Sequence, residues 1–335
     1  MNLPHARGPL SSALFDALRA DDPSRLPTAG DVPACADAVR DDDLQLALWS
    51  CYELHYRGFD DIADTWEWHP ELIAFRSVLE GQFLQALRRD VEVPFDERPV
   101  PAQLWSLVQN DTGKSPSNYL QRHATRAEFR EYVQHRSVYQ LKEADPHTWA
   151  IPRLRGRAKA ALIEIQMDEY GEGDLSRMHS TLFARVLRSL NVDDEYGAHV
   201  DASPGVTLAL TNLISLFGLH RLFRGALAGH LAVFEMNSSE PSRRIARGLR
   251  RLGADDDTCA FYDVHVTADA LHEQVAAYDL CGALATDEPT LAEDVMFGAG
   301  ACLYVDALFA EHVLGHWGAG RSSLRGPAMP ARLAG

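Results

Sequence analysis

The chain has 335 residues, 46% of them hydrophobic, and a formal net charge of −16 at pH 7. It is long enough to bury a sizeable core as one large domain or two small ones, and its acidity argues against nucleic acid or an anionic membrane surface as a partner. Five cysteines (Cys35, Cys51, Cys259, Cys281, Cys302) show no CxxC spacing and are odd in number, which speaks against a zinc knuckle or a disulfide framework. With no signal-peptide core and no apolar run approaching the ~18 residues of a membrane span, the sequence predicts a cytoplasmic protein with reduced thiols and no membrane contact.

Residues 1–40 are rich in Pro, Asp, Ala and Gly and predict a loosely held arm with one or two short helices. Apolar spacing predicts a helix over 43–59, with Asp41 to Asp43 as capping candidates. Glu53 and His55, two residues apart, point to different faces of it and do not make a joint metal site. A second long helix starts near Pro70 and is ended by prolines 94, 99 and 101. A short helix and a longer one then run to about Ala144, where Asp145-Pro146 stops them. Glu143 thus falls in a last turn, at the partially negative end of a helix. It calls for a positive neighbour: Lys142, Arg153 or a metal.

Helices are predicted over 157–170 and 174–190, interrupted by Gly171-Glu172-Gly173. Glu169 and His179 would lie ~15 Å apart along one continuous helix, so they serve one site only if the chain breaks at the glycines; otherwise Glu169 is a surface carboxylate. Residues 203–236 read as one long apolar helix opened by Ser203-Pro204. Its Gly218, Gly225 and Gly229 suggest close packing or bends, and His220 and His230 are read as packing or supporting groups. Arg243, Arg244, Arg247, Arg250 and Arg251 form a solvated basic face on the next helix.

The stretch 261–280, FYDVHVTADALHEQVAAYDL, carries His265, Asp269 and His272. On a helix these three lie within roughly 60° of one another. Two imidazoles and a carboxylate on one face either ligate a divalent transition metal or form a satisfied polar face, and the spacing leaves both open. A last helix covers 291–317. No strand-like alternation occurs, so the fold is predicted to be all-α, with helices stacked around a polar centre.

Glu143, Glu169, His179 and the His265-x3-Asp269-x2-His272 set, with the surrounding text KEADPHTWAIPRL, EIQMDEYGEG, MHSTLFA and FYDVHVTADALHE, resemble the haem-oxygenase-like diiron oxidases, also described as iron-containing redox enzymes. The resemblance covers about residues 115–320. It implies a haem-oxygenase-like seven-helix bundle over 111–320, preceded by an arm and helical extension (1–110) and followed by a tail (321–335). It also implies that Glu143, Glu169, His179, His265, Asp269 and His272 hold two Fe(II) ions, three carboxylates and three neutral imidazoles leaving positions for O2, with no catalytic residue beyond the ligands. The implied activity is that of a non-haem diiron oxygenase or oxidase on a small amine or amino acid, most simply N-oxygenation through a peroxo-diiron(III) species. A histidine rather than a carboxylate at 265 is what favours nitrogen. Oxidative C–C cleavage or desaturation of an amino or fatty acid is the alternative; a haem oxygenase, an iron store and a non-catalytic iron-binding helical protein are the readings from other classes. A homodimer and an external electron donor are expected, and Arg153, Arg157, His123 and Tyr139 are candidates for substrate contact.

Overall fold

A computed structural model of the chain describes residues 1–326, apart from the side chains of Asp269 and Ala270. The described residues contain helices and no strand, as the absence of alternation predicted.

The first layer consists of α1 (Pro9–Ala20), α2 (Asp42–Glu53), α3 (Pro70–Asp90) and α4 (Val100–Gln109). Residues 1–40, predicted as a loose arm with one or two short helices, contain the short helix α1, which is packed in, while most of residues 21–37 are exposed. Leu14, Phe15, Ala17 and Leu18 of α1 are buried, and the Asp43 carboxylate accepts from Leu10 N (2.8 Å) and Ser11 N (2.9 Å), serving amides that a helix start leaves open. Asp41 caps α2 by accepting from Asp43 N and Leu44 N. Nearly every side chain of α2 is buried, largely against α10.

Next come α5 (Pro116–Arg122), α6 (Arg126–Gln140), the single turn α7 (Asp145–Thr148), α8 (Gly156–Glu169) and α9 (His179–Ser189). A capping box between Thr125 and Glu128 opens α6. The helix predicted over 203–236 is two, α10 (Gly205–Leu219) and α11 (Arg224–Met236), bent by 102° about the short turn Arg221–Phe223. Arg153 stabilises the break by donating to the carbonyls of Gly218 and Leu219, which α10 leaves without partners.

The chain continues through α12 (Ser239–Arg251) and α13 (Asp256–Gln274), then a π-helical segment Val275–Gly282, α14 (Ala283–Asp287) and α15 (Ala292–Gly318). Asp255 caps α13 by accepting from Thr258 N at 2.9 Å. The basic face of α12 is only partly solvated: Arg250 pairs with Asp256 and Asp263, and Arg251 donates to carbonyls of residues 120, 121 and 124. α11 and α15 touch backbone to backbone, since a β-carbon on Gly229 would overlap Val295 O and one on Gly298 would overlap Ala226 O. Contrary to expectation, Pro289–Gly318 is long and apolar enough to cross a membrane; in this fold 61% of its apolar 18-residue stretch is buried.

Two apolar clusters result. One joins α1 to α4, α8, α10, α11 and the first half of α15. The other joins α5, α9, α12, the start of α13 and the end of α15. Helices on the two sides meet along a seam, and the polar centre lies there.

Candidate metal centre

Each inward polar group has a local reason for its position. After α6 the chain leaves the helix at Leu141, and Ala144 takes a left-handed φ of 75°. Glu143 therefore stands in a tight turn rather than in a last helical turn. That conformation is disfavoured for a residue with a β-carbon, and Gln166 holds it by donating to Ala144 O at 2.9 Å. Lys142, adjacent in sequence, points the other way: its Nζ donates to Glu53 Oε2 at 3.0 Å, both groups fully buried. Neither Lys142 nor Arg153 is thus the cation that Glu143 calls for.

Glu169 closes α8 and His179 opens α9. Between them Gly171, Glu172 and Gly173 all have positive φ (62°, 54° and 84°), and the chain doubles back. Only glycine fits at 171, where a β-carbon would lie 2.5 Å from Met178 N. The reversal brings His179 Nδ1 to 2.9 Å from Glu169 Oε2. Neither atom makes an aligned hydrogen bond, and Glu143 Oε2 likewise has no partner, although all are buried. Such atoms are costly unless something else satisfies them.

From α13, His265 places Nε2 3.8 Å from Glu143 Oε1 while its Nδ1 donates to Phe261 O at 2.6 Å. That bond fixes the tautomer and leaves the Nε2 lone pair turned to the site, an orienting contact typical of ligating histidines. The rings of His179 and His265 lie 4.4 Å apart. Two turns on, His272 donates from Nε2 to Asp168 Oδ2 at 2.8 Å and turns Nδ1 toward Glu235 Oε2 at 3.5 Å. Asp269 lies on the same helix, but its side chain is outside the described residues, so its predicted role as a ligand is neither placed nor removed here.

The structure brings five of the six predicted residues together and adds one. Glu143, Glu169, His179 and His265 form one buried group whose donor atoms lie within 4.8 Å of one another; Glu169, Glu235 and His272 form a second. Glu169 belongs to both, the topology of two adjacent cation sites sharing a carboxylate. A void of about 20 Å³ lies between Glu143, Glu169, Glu235 and His265, enough for a water-sized occupant. Glu235 was missed because it ends the apolar run of α11; the available signal was a lone carboxylate in GALAGHLAVFEM.

The electrostatics fit a cation. Burial pushes the Glu143 carboxyl above its ordinary range, and the nearby Glu169 charge adds to the rise against the pull of His265 and His179. Burial acts on Glu169 in the same direction, but His179, His265 and His272 outweigh it and hold that carboxyl below the ordinary range. Three carboxylates and three imidazoles, with oxygen and nitrogen donors only, suit iron or manganese.

A second, larger cavity of about 500 Å³ reaches the centre at Glu143 and His265. Of the proposed substrate contacts, Tyr139 lines it. Arg153 is committed to α10, Arg157 pairs with Asp279 at the surface, and His123 packs on Tyr119. His220 and His230 are not ligands: His220 contacts Glu80 at 3.0 Å, and His230 meets His147 at 3.3 Å.

Comparison with known proteins agrees with this geometry. A nitrosourea synthase from Streptomyces achromogenes subsp. streptozoticus is 26% identical over 136 residues, 41% of this chain but only 29% of that protein. The profile of the iron-containing redox enzymes matches residues 130–307, which is more than half of the chain and includes every donor of the two groups. The chain belongs to the iron-containing redox enzyme family, and its all-α architecture is of the haem-oxygenase-like kind.

Proposed function

We propose that this protein is a non-haem diiron oxygenase that transfers one oxygen atom from O2 to the nitrogen of a small amine or amino acid. The observation that carries the reading is the sharing of Glu169 by two groups of buried donors. When bound, two ferrous ions would supply the electrons that activate O2. Glu143, Glu169, His179 and His265 would hold one ion, and Glu169, Glu235 and His272 the other. With Asp269 counted from the sequence, the carboxylates Glu143, Glu169, Glu235 and Asp269 carry four negative charges, equal to the charge of two ferrous ions.

The protein's own groups orient this shell. Phe261 O fixes the tautomer of His265, and Asp168 does the same for His272. The small void admits little water beside Glu169, whereas the larger cavity abuts only the Glu143 and His265 side. Substrate is therefore expected to approach from Glu143 and His265, with the Glu235 and His272 side closed.

Nitrogen as the acceptor draws support from the similarity to a nitrosourea synthase. The balanced step is R–NH2 + O2 + 2 e⁻ + 2 H⁺ → R–NHOH + H2O, so one oxygen goes to nitrogen, the other to water, and an external donor provides two electrons. The test is reaction of iron-loaded protein with 18O2, a reductant and a panel of amines and amino acids, followed by mass spectrometry. A product carrying one 18O on nitrogen is expected. Loss of a carbon fragment, formation of an alkene, or oxygen uptake with no labelled product contradicts the proposal.

A further inference from the structure

The larger cavity holds polar groups that the metal does not use. Arg136 Nε, Gln140 Oε1, Thr211 Oγ1 and Tyr262 OH are buried, lack hydrogen-bond partners, and belong to residues lining that cavity. Arg136 carries the charge. Its nearest acid is Asp306, whose Oδ1 is 3.8 Å from Nη1, beyond hydrogen-bonding range. The Asp306 side chain is 56% exposed and that of Arg136 only 17%. A long pair to an exposed carboxylate contributes little and leaves Nε unserved.

A guanidinium with idle donors in a protein-lined space is stabilised by a ligand that brings acceptors, and its planar fork matches a carboxylate. The Tyr262 phenol, within electrostatic range of Arg136, offers a second donor to the same anion. Asp306 offers the complementary acceptor for a cation beside it. Opposite charges under 4 Å apart on one cavity wall match a carboxylate and an ammonium borne by one carbon.

We propose that Arg136, Tyr262 and Asp306 form the head-group subsite for a free α-amino acid whose side chain extends toward Glu143 and His265. The assignment of Glu143 and His265 as the reacting end rests on the diiron reading above. Arg136 lies on α6 and Glu143 in the turn that follows it, and both line the same cavity. A substrate whose carboxylate pairs with Arg136 presents its side chain to the centre, as the longer side chains of the basic or aromatic amino acids allow. The apolar wall at Ile214, Val233, Phe234 and Phe309 suits the methylenes or ring of such a chain.

The test is calorimetric binding to the full chain, loaded with ferrous iron and kept free of oxygen. The probes are L-lysine, L-arginine and L-tryptophan, their decarboxylated amines cadaverine, agmatine and tryptamine, their Nα-acetyl derivatives, and laurate. At least one amino acid is expected to bind, with its amine and Nα-acetyl counterparts weaker by about tenfold or more. Arg136→Met is expected to erase the preference over the amine. Asp306→Asn, a conservative change at the exposed rim, is expected to erase the preference over the Nα-acetyl form, and circular dichroism checks that both variants fold. The proposal is overturned if the amines bind as tightly as the acids, if laurate alone binds, if nothing in the panel binds, or if folded Arg136→Met keeps the wild-type preference. Binding is read without oxygen, so a protein that passes this test and yet performs no oxygen chemistry contradicts the diiron oxygenase and leaves the subsite standing.

Discussion

Glu235 is the residue whose role separates a two-ion site from a one-ion site. It contacts the His272 side of the shell and is absent from the group around His179 and His265. Glu235→Ala is expected to reduce anaerobically bound iron from about two to about one per chain, because the sites of a two-metal centre have partly separate ligands; unchanged stoichiometry in a metal assay would refute that role. His135 illustrates a different residue-scale effect. Its Nδ1 meets Thr207 Oγ1 at 2.8 Å and its Nε2 meets Ser323 Oγ at 3.0 Å. Burial, aided by the charges of His312 and Arg136, lowers its pKa to about 3 from 6.5. A histidine depressed in the fold stays neutral there while the unfolded chain takes up a proton, so its stabilising effect is complete above about pH 6.5 and drains away as pH falls toward about 3. Thermal melts of His135→Gln should fall less steeply between about pH 7 and pH 4 than those of the wild type.

Among elements, the reversal between α8 and α9 is the one on which the centre depends. Gly171 and Gly173 share a left-handed φ, but only at 171 would a β-carbon also strike backbone. Gly173→Ala should cost about 1–2 kcal/mol for the backbone conformation alone. Gly171→Ala should cost more and also lower iron retention, because it separates Glu169 from His179; equal losses in denaturant titrations would contradict this. The need for a break here was legible in the sequence, since ten residues of helix cannot bring Glu169 to His179. The placement of Glu143 was legible only in part: Pro146 marked a helix end, but the left-handed Ala144 that aims Glu143 has no sequence signature. His265 and His272 followed from helical spacing. Glu235 did not, because an apolar helix containing one acid reads equally well as a helix with an exposed end. The break of α10 from α11 was legible only through several glycines, Gly218 among them, that suggested close packing or a bend; no proline marks it, and the turn is held by Arg153 from a distant segment.

At the scale of the molecule, the N-terminal layer is joined to the segment that carries the candidate ligands by a buried ion pair. Glu53 of α2 receives Lys142 at 3.0 Å and the Tyr196 hydroxyl at 2.7 Å, and Lys142 Nζ also lies 4.1 Å from the Tyr56 ring. Lys142 neighbours Glu143, so the extension braces the turn that carries a proposed ligand. Removing one partner strands the other in the core: Lys142→Met should cost about 3–5 kcal/mol, and adding Glu53→Gln should recover much of it. Additive losses in a double-mutant cycle would argue against the pairing. The packing of α1 could not be read from the composition of residues 1–40, because it depends on Asp43 serving the start of that helix and on Arg7 reaching Val200 O.

The most direct measurement is anaerobic titration of the metal-free chain with ferrous iron, followed by Mössbauer and magnetic spectroscopy of the loaded protein. A carboxylate shared through Glu169 predicts about two irons per chain that are magnetically coupled, and Glu169→Ala should lose both. Retention of about one iron per chain, or of two uncoupled irons, would contradict the shared centre and with it the proposed oxygenase.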